Sequence, residues 1–396
     1  MAEKVKFTKI IAGKYDSVLN TVFSEPKPDK QDRIEIEIGD SKQPDFKPQV
    51  KIKRWDNEVN ASFRFIDDSA DTVAVSNKSD QIIWKKGDHE IHLYELPADS
   101  INEDGGFELE AVLNKKPSSN VLQFSIETKG LNFYYQGEPK PRKGVSGIQI
   151  PNRPENVIGS YAVYHDSKQG DYKNGNHYKT GKVFHIYRPK ITDAAGAVVW
   201  GDLNIDGDSK ILTITIPQDF LDTAEYPVIV DPTFGYTSAG GSSWQYEPDD
   251  YIFGYHPATS PKALTVDSIH IYTKANGSAS NAECGIYKVS DNVLHGKTET
   301  ISIGTTAAWN QLNIDSDGAL INADYYLCVW FESSDFEEFY DEVVGYYSKY
   351  DSNTFDGDWP NPVSWDGSDW VDARISIYAS YTDAAAGNPH YYYAQQ

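Results

Sequence analysis

Between Glu337 and Trp370 the chain sets Tyr340, Tyr346, Tyr347, Tyr350, Phe355, Trp359, Trp365 and Trp370 among aspartates and glutamates. Flat rings beside carboxylates are the equipment of sugar recognition. A ring covers the apolar C–H face of a sugar while an acid accepts its hydroxyl protons. Trp359, Trp365, Trp370 and Tyr347 are the candidate glycan-binding residues, with Asp358, Asp366 and Asp369 as hydroxyl acceptors. The same residues would also serve a loop tucked over the end of a sandwich, or a contact with another subunit.

Two other strings could hold calcium, which takes hard oxygens from alternate positions of a tight loop. Asp202-Leu-Asn-Ile-Asp-Gly-Asp208 begins like such a loop, but its twelfth position is Thr213 rather than a bidentate glutamate. Asn313-Ile-Asp-Ser-Asp-Gly318 repeats the theme, with Asp324 at position twelve. Both strings are equally good turns. No organic cofactor is expected, and calcium is the one ion the sequence admits. His89 and His92 stand three apart in an alternating strand, on opposite faces, so a joint metal site is not expected. Cys284 and Cys328 both fall in strand-like runs, and the sequence leaves open whether they bridge. No nucleophile elbow, zinc-protease helix, phosphate loop or dinucleotide fingerprint occurs, so no catalytic residues are assigned and the chain is not expected to be an enzyme. A glycosidase would need no local signature, because its two carboxylates can come from anywhere in the fold.

The elements that position these residues read as strands. The chain of 396 residues holds 27 Tyr and 9 Trp, is rich in β-branched residues, and has one Met. That mix favours short strands joined by tight turns. Ile34-Glu-Ile-Glu-Ile38 alternates, and six comparable runs follow to Glu127, about ten residues apart, as in an antiparallel sandwich. The fold class is therefore all-β: several antiparallel β-sandwiches, ending in a jelly-roll. Helix is expected only at Thr8 to Phe23, weakened by Gly13, and after Pro217. The expected organisation is 1–127 and 128–235 as β-rich regions that can form one unit, a Gly/Ser linker at 236–246, a jelly-roll at 247–382, and a tail at 383–396. The tail's three consecutive tyrosines are expected to dock on another chain, a copy of itself or a capsid subunit, because ordering a terminus must be offset by burial.

A net charge of −23 repels nucleic acid and anionic lipid. No run approaches the length of a spanning helix, and Met1-Ala-Glu-Lys-Val-Lys leads into no signal-like apolar stretch. The chain is thus expected to be made in a cytoplasm. Either release by lysis or removal of an earlier signal would place it outside the cell.

Arg153-Pro-Glu-Asn-Val-Ile-Gly-Ser-Tyr-Ala-Val-Tyr-His165 and Tyr226-Pro-Val-Ile-Val-Asp-Pro-Thr-Phe-Gly-Tyr236 resemble segments of uncharacterised structural proteins of tailed bacteriophages. The second reads as a strand stopped at Asp231-Pro232. The resemblance covers roughly 30–235. It implies a virion component, a capsid decoration or fibre-like tail subunit, with other virion proteins as partners, and it brings no catalytic residues. The pattern over about 245–382 resembles the jelly-rolls of carbohydrate-binding modules and phage fibre or decoration proteins, which implies contact with host glycans. A carbohydrate-binding protein of a bacterial surface and a polysaccharide-degrading tailspike are the alternatives.

Overall fold

The computed structural model describes residues 21–23, 34–40, 42–43, 46–67, 73–78, 81–99, 101–139, 150–168, 172–173, 176–245, 251–255, 257–260, 263–333, 335–370, 372–382 and 389–392. These residues are overwhelmingly antiparallel strand, with one short helix at Gln218–Thr223. The fold is all-β. Pro217 stands immediately before that helix, where its missing N–H costs nothing. Of the helix expected at Thr8 to Phe23, residues 8–20 lie outside the described residues, and Thr21–Phe23 is a strand paired with Glu37–Gly39.

The described residues fall into two compact units that interleave along the chain. The first gathers Met1–Gly137, Glu155–Asp166 and Val183–Thr237, and the second Glu138–Pro154, Ser167–Lys182 and Ser238–Gln396. The regions 1–127 and 128–235 therefore merge, except for two excursions that belong to the second unit. One excursion carries Ile150–Asn152, which pairs with Ser243–Gln245 of the supposed linker. Thr237, Ser238, Ala239, Ser242, Ser243 and Trp244 are all buried, so the stretch 237–244 is packed rather than a solvent-exposed tether. Its small residues answer to close packing. A Cβ on Gly240 would lie 2.2 Å from the Tyr340 carbonyl carbon.

The first unit packs two sheets face to face. One runs, in spatial order, Thr21–Phe23, Ile34–Gly39, Gln49–Arg54, Val59–Phe65, Val121–Lys129, Ile211–Thr215, Asp202–Asp206. The other centres on Gly106–Leu113, which pairs with His89–Leu96 on one edge and with Val228–Asp231 and Thr233–Gly235 on the other. Alternation sends Phe107, Leu109, Ala111 and Leu113 inward. Between the sheets Phe63 meets Phe234 at 5.0 Å and Phe184 at 6.2 Å between ring centroids. Rings of this size dominate the burial that stabilises a sandwich.

The second unit is also a two-layered antiparallel sandwich. Its inner core includes Ile269, Ile271, Cys284, Ile286, Val329 and Phe336. A second cluster covers the outer face of one layer, formed by Ile252, Tyr287, Tyr326, Cys328, Trp330, Trp359 and Val363. Cys284 stands opposite Val329 and Cys328 opposite Gly285, so the two thiols point to opposite faces of adjacent strands. Both are free and buried, and burial pushes both thiols up in pKa. Within the tail, Pro389–Tyr392 pairs with Ala379–Thr382 of its own chain, while 383–388 and 393–396 lie outside the described residues.

Candidate functional site

The candidate loops for calcium are strands and turns. Asp206 accepts hydrogen bonds from the Asp208 and Ser209 amides, closing the hairpin between Asp202–Asp206 and Ile211–Thr215, and Asp202 sits 3.6 Å from Arg188. Asn313 lies within the strand Ala308–Asp317, whereas Asp324 belongs to another strand and accepts a hydrogen bond from the Thr259 hydroxyl. Neither set of oxygens converges. Among the described residues no group of three or more His, Cys, Asp or Glu gathers as metal ligands.

The tryptophans of the acidic loop are committed to packing. Gly254 and Gly285 flank Cys328 on adjacent strands, and a Cβ on either would lie 2.7 Å from the Trp365 ring or 2.6 Å from the Trp359 ring. The bare backbone is where the two indoles rest. Trp359 is buried and donates its N–H to Glu283 at 2.7 Å, and Trp365 donates to Asn292 at 3.2 Å. Tyr347 is half-buried against the same cluster. Trp370 ends the strand Gly367–Trp370 opposite Tyr347, and its side chain lies outside the described residues, as does that of Asp369. Asp366 is occupied by the Ser352 amide and hydroxyl. The loop thus tucks over the sandwich, and the indole faces of Trp359 and Trp365 are not presented as a stacking platform.

A different constellation forms on the first unit, on the outward face of the sheet centred on Gly106–Leu113. The ladder between this strand and 228–235 keeps one register on both sides of Pro232: Val230 faces Ala111 and Thr233 faces Glu108. The strand Val228–Asp231 ends at Asp231-Pro232, as expected, and a second strand, Thr233–Gly235, resumes the same register beyond the proline. The same register puts Asp231 across from Glu110 and diagonal to Glu108. Extending it to neighbouring strands gives one row, His92, Glu110, Asp231, Lys190 and Trp200. Tyr94, Glu108 and Thr233 form the row beside it.

The chemistry of these rows is set by burial and by what each carboxyl can reach. Glu110 accepts from the Tyr94 hydroxyl at 2.8 Å and lies 3.4 Å from His92, which also meets Glu90 at 3.0 Å. Burial pulls His92 down, but its bonds to Glu110 and Glu90 outweigh that and raise it; burial raises Glu110, and its bonds with His92 and Tyr94 lower it overall. Glu108 is different. It is 3 % exposed, and it accepts one bond, from the Thr233 hydroxyl at 2.8 Å. Burial and the neighbouring Asp231 hold it far above the ordinary carboxylate range, and burial raises Asp231 too. Glu108 Oε2 and Asp231 Oδ1 are shielded from water and meet no donor outside the pair, so the bond between the two carboxyls is what satisfies them. Two carboxyls within hydrogen-bonding reach cannot both ionise out of water, so the pair shares a proton.

Above the pair opens a cleft of about 470 Å³, within the range that holds small ligands. Its walls carry Tyr187, Arg188, Trp200 and Ile101, and both resembling strings contribute to it, through Glu155 and Asn156 and through Asp231 and Thr233. Arg188 lies 5.9 Å from the Trp200 ring centroid. The Tyr187 hydroxyl donates to Asn102 at 3.1 Å. Local sequence pattern missed this site because Glu108 and Glu110 look like the solvated side of an alternating strand. The one available signal was the excess of ionisable residues on that side of two strands, His89–Leu96 and Gly106–Leu113.

No family model matches the chain, and no curated protein does. Among solved structures, a GH31 alpha-xylosidase from Xanthomonas citri aligns at 9 % identity with a TM-score of 0.14, over 95 % of this chain and 37 % of that one. The chain thus spans well under half of that enzyme's length, and a similarity of this size carries no statement about fold or activity.

Proposed function

We propose that the chain is a structural subunit of a bacteriophage particle, exposed on its surface as a capsid decoration or fibre-like component, and not an enzyme. The observation that carries this is the resemblance of 153–165 and 226–236 to phage structural proteins. In the fold these strings supply Ser160–His165, Val228–Asp231 and Thr233–Gly235, which lie inside one sheet. The likeness therefore falls on strands that define the first unit, not on a loop that unrelated proteins acquire easily. The charge of −23 fits a particle exterior better than contact with packaged nucleic acid. Partners are other virion proteins or further copies of the chain. Among the described residues no helix is long and apolar enough to cross a membrane.

The test is to purify particles from a lysate of the host that encodes the chain and quantify it by mass spectrometry. Co-purification at a fixed ratio to the major particle protein supports the assignment, and absence from purified particles overturns it. Recovery instead from the cell envelope of uninfected bacteria would favour the bacterial surface protein.

A further inference from the structure

We propose that Lys182 and Asp341 condense into an intramolecular amide, a cross-link from Nζ to Cγ that ties the stretch ending at Lys182 to the strand Phe336–Glu342. This places a covalent modification within the second unit, beyond the particle role, and stands whether or not the chain is part of a virion.

The first support is the isolation of the pair. Lys182 Nζ lies 2.7 Å from Asp341 Oδ2, and both side chains are wholly buried. Thr180, Ala239 and Arg374, which adjoin them, are buried as well. An ammonium and a carboxylate are costly to hold out of water. Moving one proton along the Nζ–H···Oδ2 bond gives a neutral amine and a neutral acid instead. The neutral amine is the nucleophile. The carbon it attacks, Asp341 Cγ, is one bond beyond Oδ2. The fold thus holds the two reactants in contact and supplies the effective concentration that amide formation lacks in solution.

The second support is what each reacting atom already touches. The Gly241 amide donates to Asp341 Oδ1 at 2.9 Å, and Arg374 stands directly opposite Asp341 in the ladder. Both favour negative charge on Oδ1, which is where charge develops as the amine adds to Cγ. Lys182 Nζ donates to the Ala239 carbonyl at 2.8 Å. In the product Oδ1 is the amide oxygen, still bonded to Gly241, and Nζ keeps one hydrogen for Ala239. The site therefore fits the amide as well as the ion pair, without the cost of burying their charges. The step balances with no oxidant, metal or activated donor. Oδ2 takes one proton from Nζ before the attack and a second from the adduct, the Cγ–Oδ2 bond breaks, and Oδ2 leaves as water. Like a disulfide, the cross-link closes a long loop and constrains the unfolded chain. Cys284 and Cys328 are both free and supply no such brace.

The experiment takes the full chain, held folded overnight at neutral pH, denatures it completely, and measures its intact mass and its tryptic peptides by mass spectrometry. The chain should be lighter than its sequence by one water. Trypsin should leave Lys182 uncut, and the peptides carrying Lys182 and Asp341 should run as one branched species. Lys182→Met and Asp341→Ala should each restore the full mass. The wild-type chain decides the matter alone, so a variant that misfolds does not weaken the test. A folded wild-type chain of full mass, with Lys182 and Asp341 in separate peptides, overturns the proposal. So does a branched peptide that joins Lys182 to another residue. A missing water confined to one peptide also overturns it, since a cyclised aspartate at a step such as Asp206-Gly207 would account for that loss. Particle incorporation is scored separately, so either idea can fail alone.

Discussion

Glu108 makes folding depend on pH in a direction opposite to most carboxylates. Its folded pKa lies above the ordinary value of 4.5, so between the two the folded chain keeps a proton that the unfolded chain has released. Stability contributed by this group is present at low pH and falls as pH rises through that window, by up to about 1.4 kcal/mol per pH unit for one proton. Glu90 runs the other way. Burial raises it, but bonds from Lys85, His92 and Asn114 bring it down to about 2, so its contribution is lost only in acid. His92, raised overall, adds stability below 6.5 that is lost as pH rises through its folded value. Whole-chain curves mix all three, and Glu108→Gln separates them. Its stability relative to wild type, from urea unfolding, should increase between about pH 5 and about pH 8. A difference that stays flat would mean that Glu108 is ionised in the fold. Trp359 poses a simpler question at this scale. Because it is buried and hydrogen-bonded to Glu283, Trp359→Ala should cost about 3–5 kcal/mol and remove the donor to Glu283 Oε2, leaving Glu283 only its bond from Thr300. A glycan-stacking residue would instead lose binding with little change in melting.

At the scale of elements, strands were easy to read and their covering was not. Ile34-Glu-Ile-Glu-Ile38 announces a half-buried strand because its period of two is complete, and the structure has Ile34–Gly39 there. Gly106–Leu113 alternates equally well, but alternation says only that Glu108 and Phe107 face apart. What covers Glu108 comes from Asp231 and Thr233, more than a hundred residues away. The tryptophans were misleading for a related reason. Glycine and cysteine at 254, 285 and 328 give no local hint that indoles will lie on them, since the match is between a strand surface and a distant loop. That match is testable. Gly285→Ala sets a Cβ 2.6 Å from the Trp359 ring, and overpacking of this kind costs about 1–3 kcal/mol. Near-ultraviolet circular dichroism should show the Trp359 environment altered while far-ultraviolet strand signal persists. An unchanged aromatic spectrum would mean that the loop is not seated on Gly285.

For the whole molecule, the interleaving of the two units has a consequence that a linear domain map hides. A fragment spanning 247–382 looks like a complete sandwich in sequence, yet it lacks three things the second unit uses. It loses Ser242–Gln245, which pairs with Glu337–Tyr340, and with it Trp244, whose ring stacks on Tyr340 at 3.7 Å. It loses Arg153, which donates to Ser242 and meets Glu342 at 3.2 Å. Above all it loses Lys182, whose ammonium lies 2.7 Å from Asp341 with both side chains wholly buried. Removing one member of such a pair strands an uncompensated charge, at a cost of about 3–5 kcal/mol. Against a typical total stability of about 5–15 kcal/mol, that loss and the missing strand leave little. The isolated 247–382 fragment should therefore be poorly folded, whereas the intact chain resists proteases at 237–245 because that stretch is buried. Adding Asp341→Leu to the fragment should recover part of the loss, since it removes the stranded charge. Chemical denaturation of the fragment, its Asp341→Leu form and the intact chain makes the comparison. A fragment as stable as the second unit in the intact chain, together with ready cleavage at 237–245, would show that the two sequence halves fold independently and that the buried Lys182–Asp341 pair is dispensable.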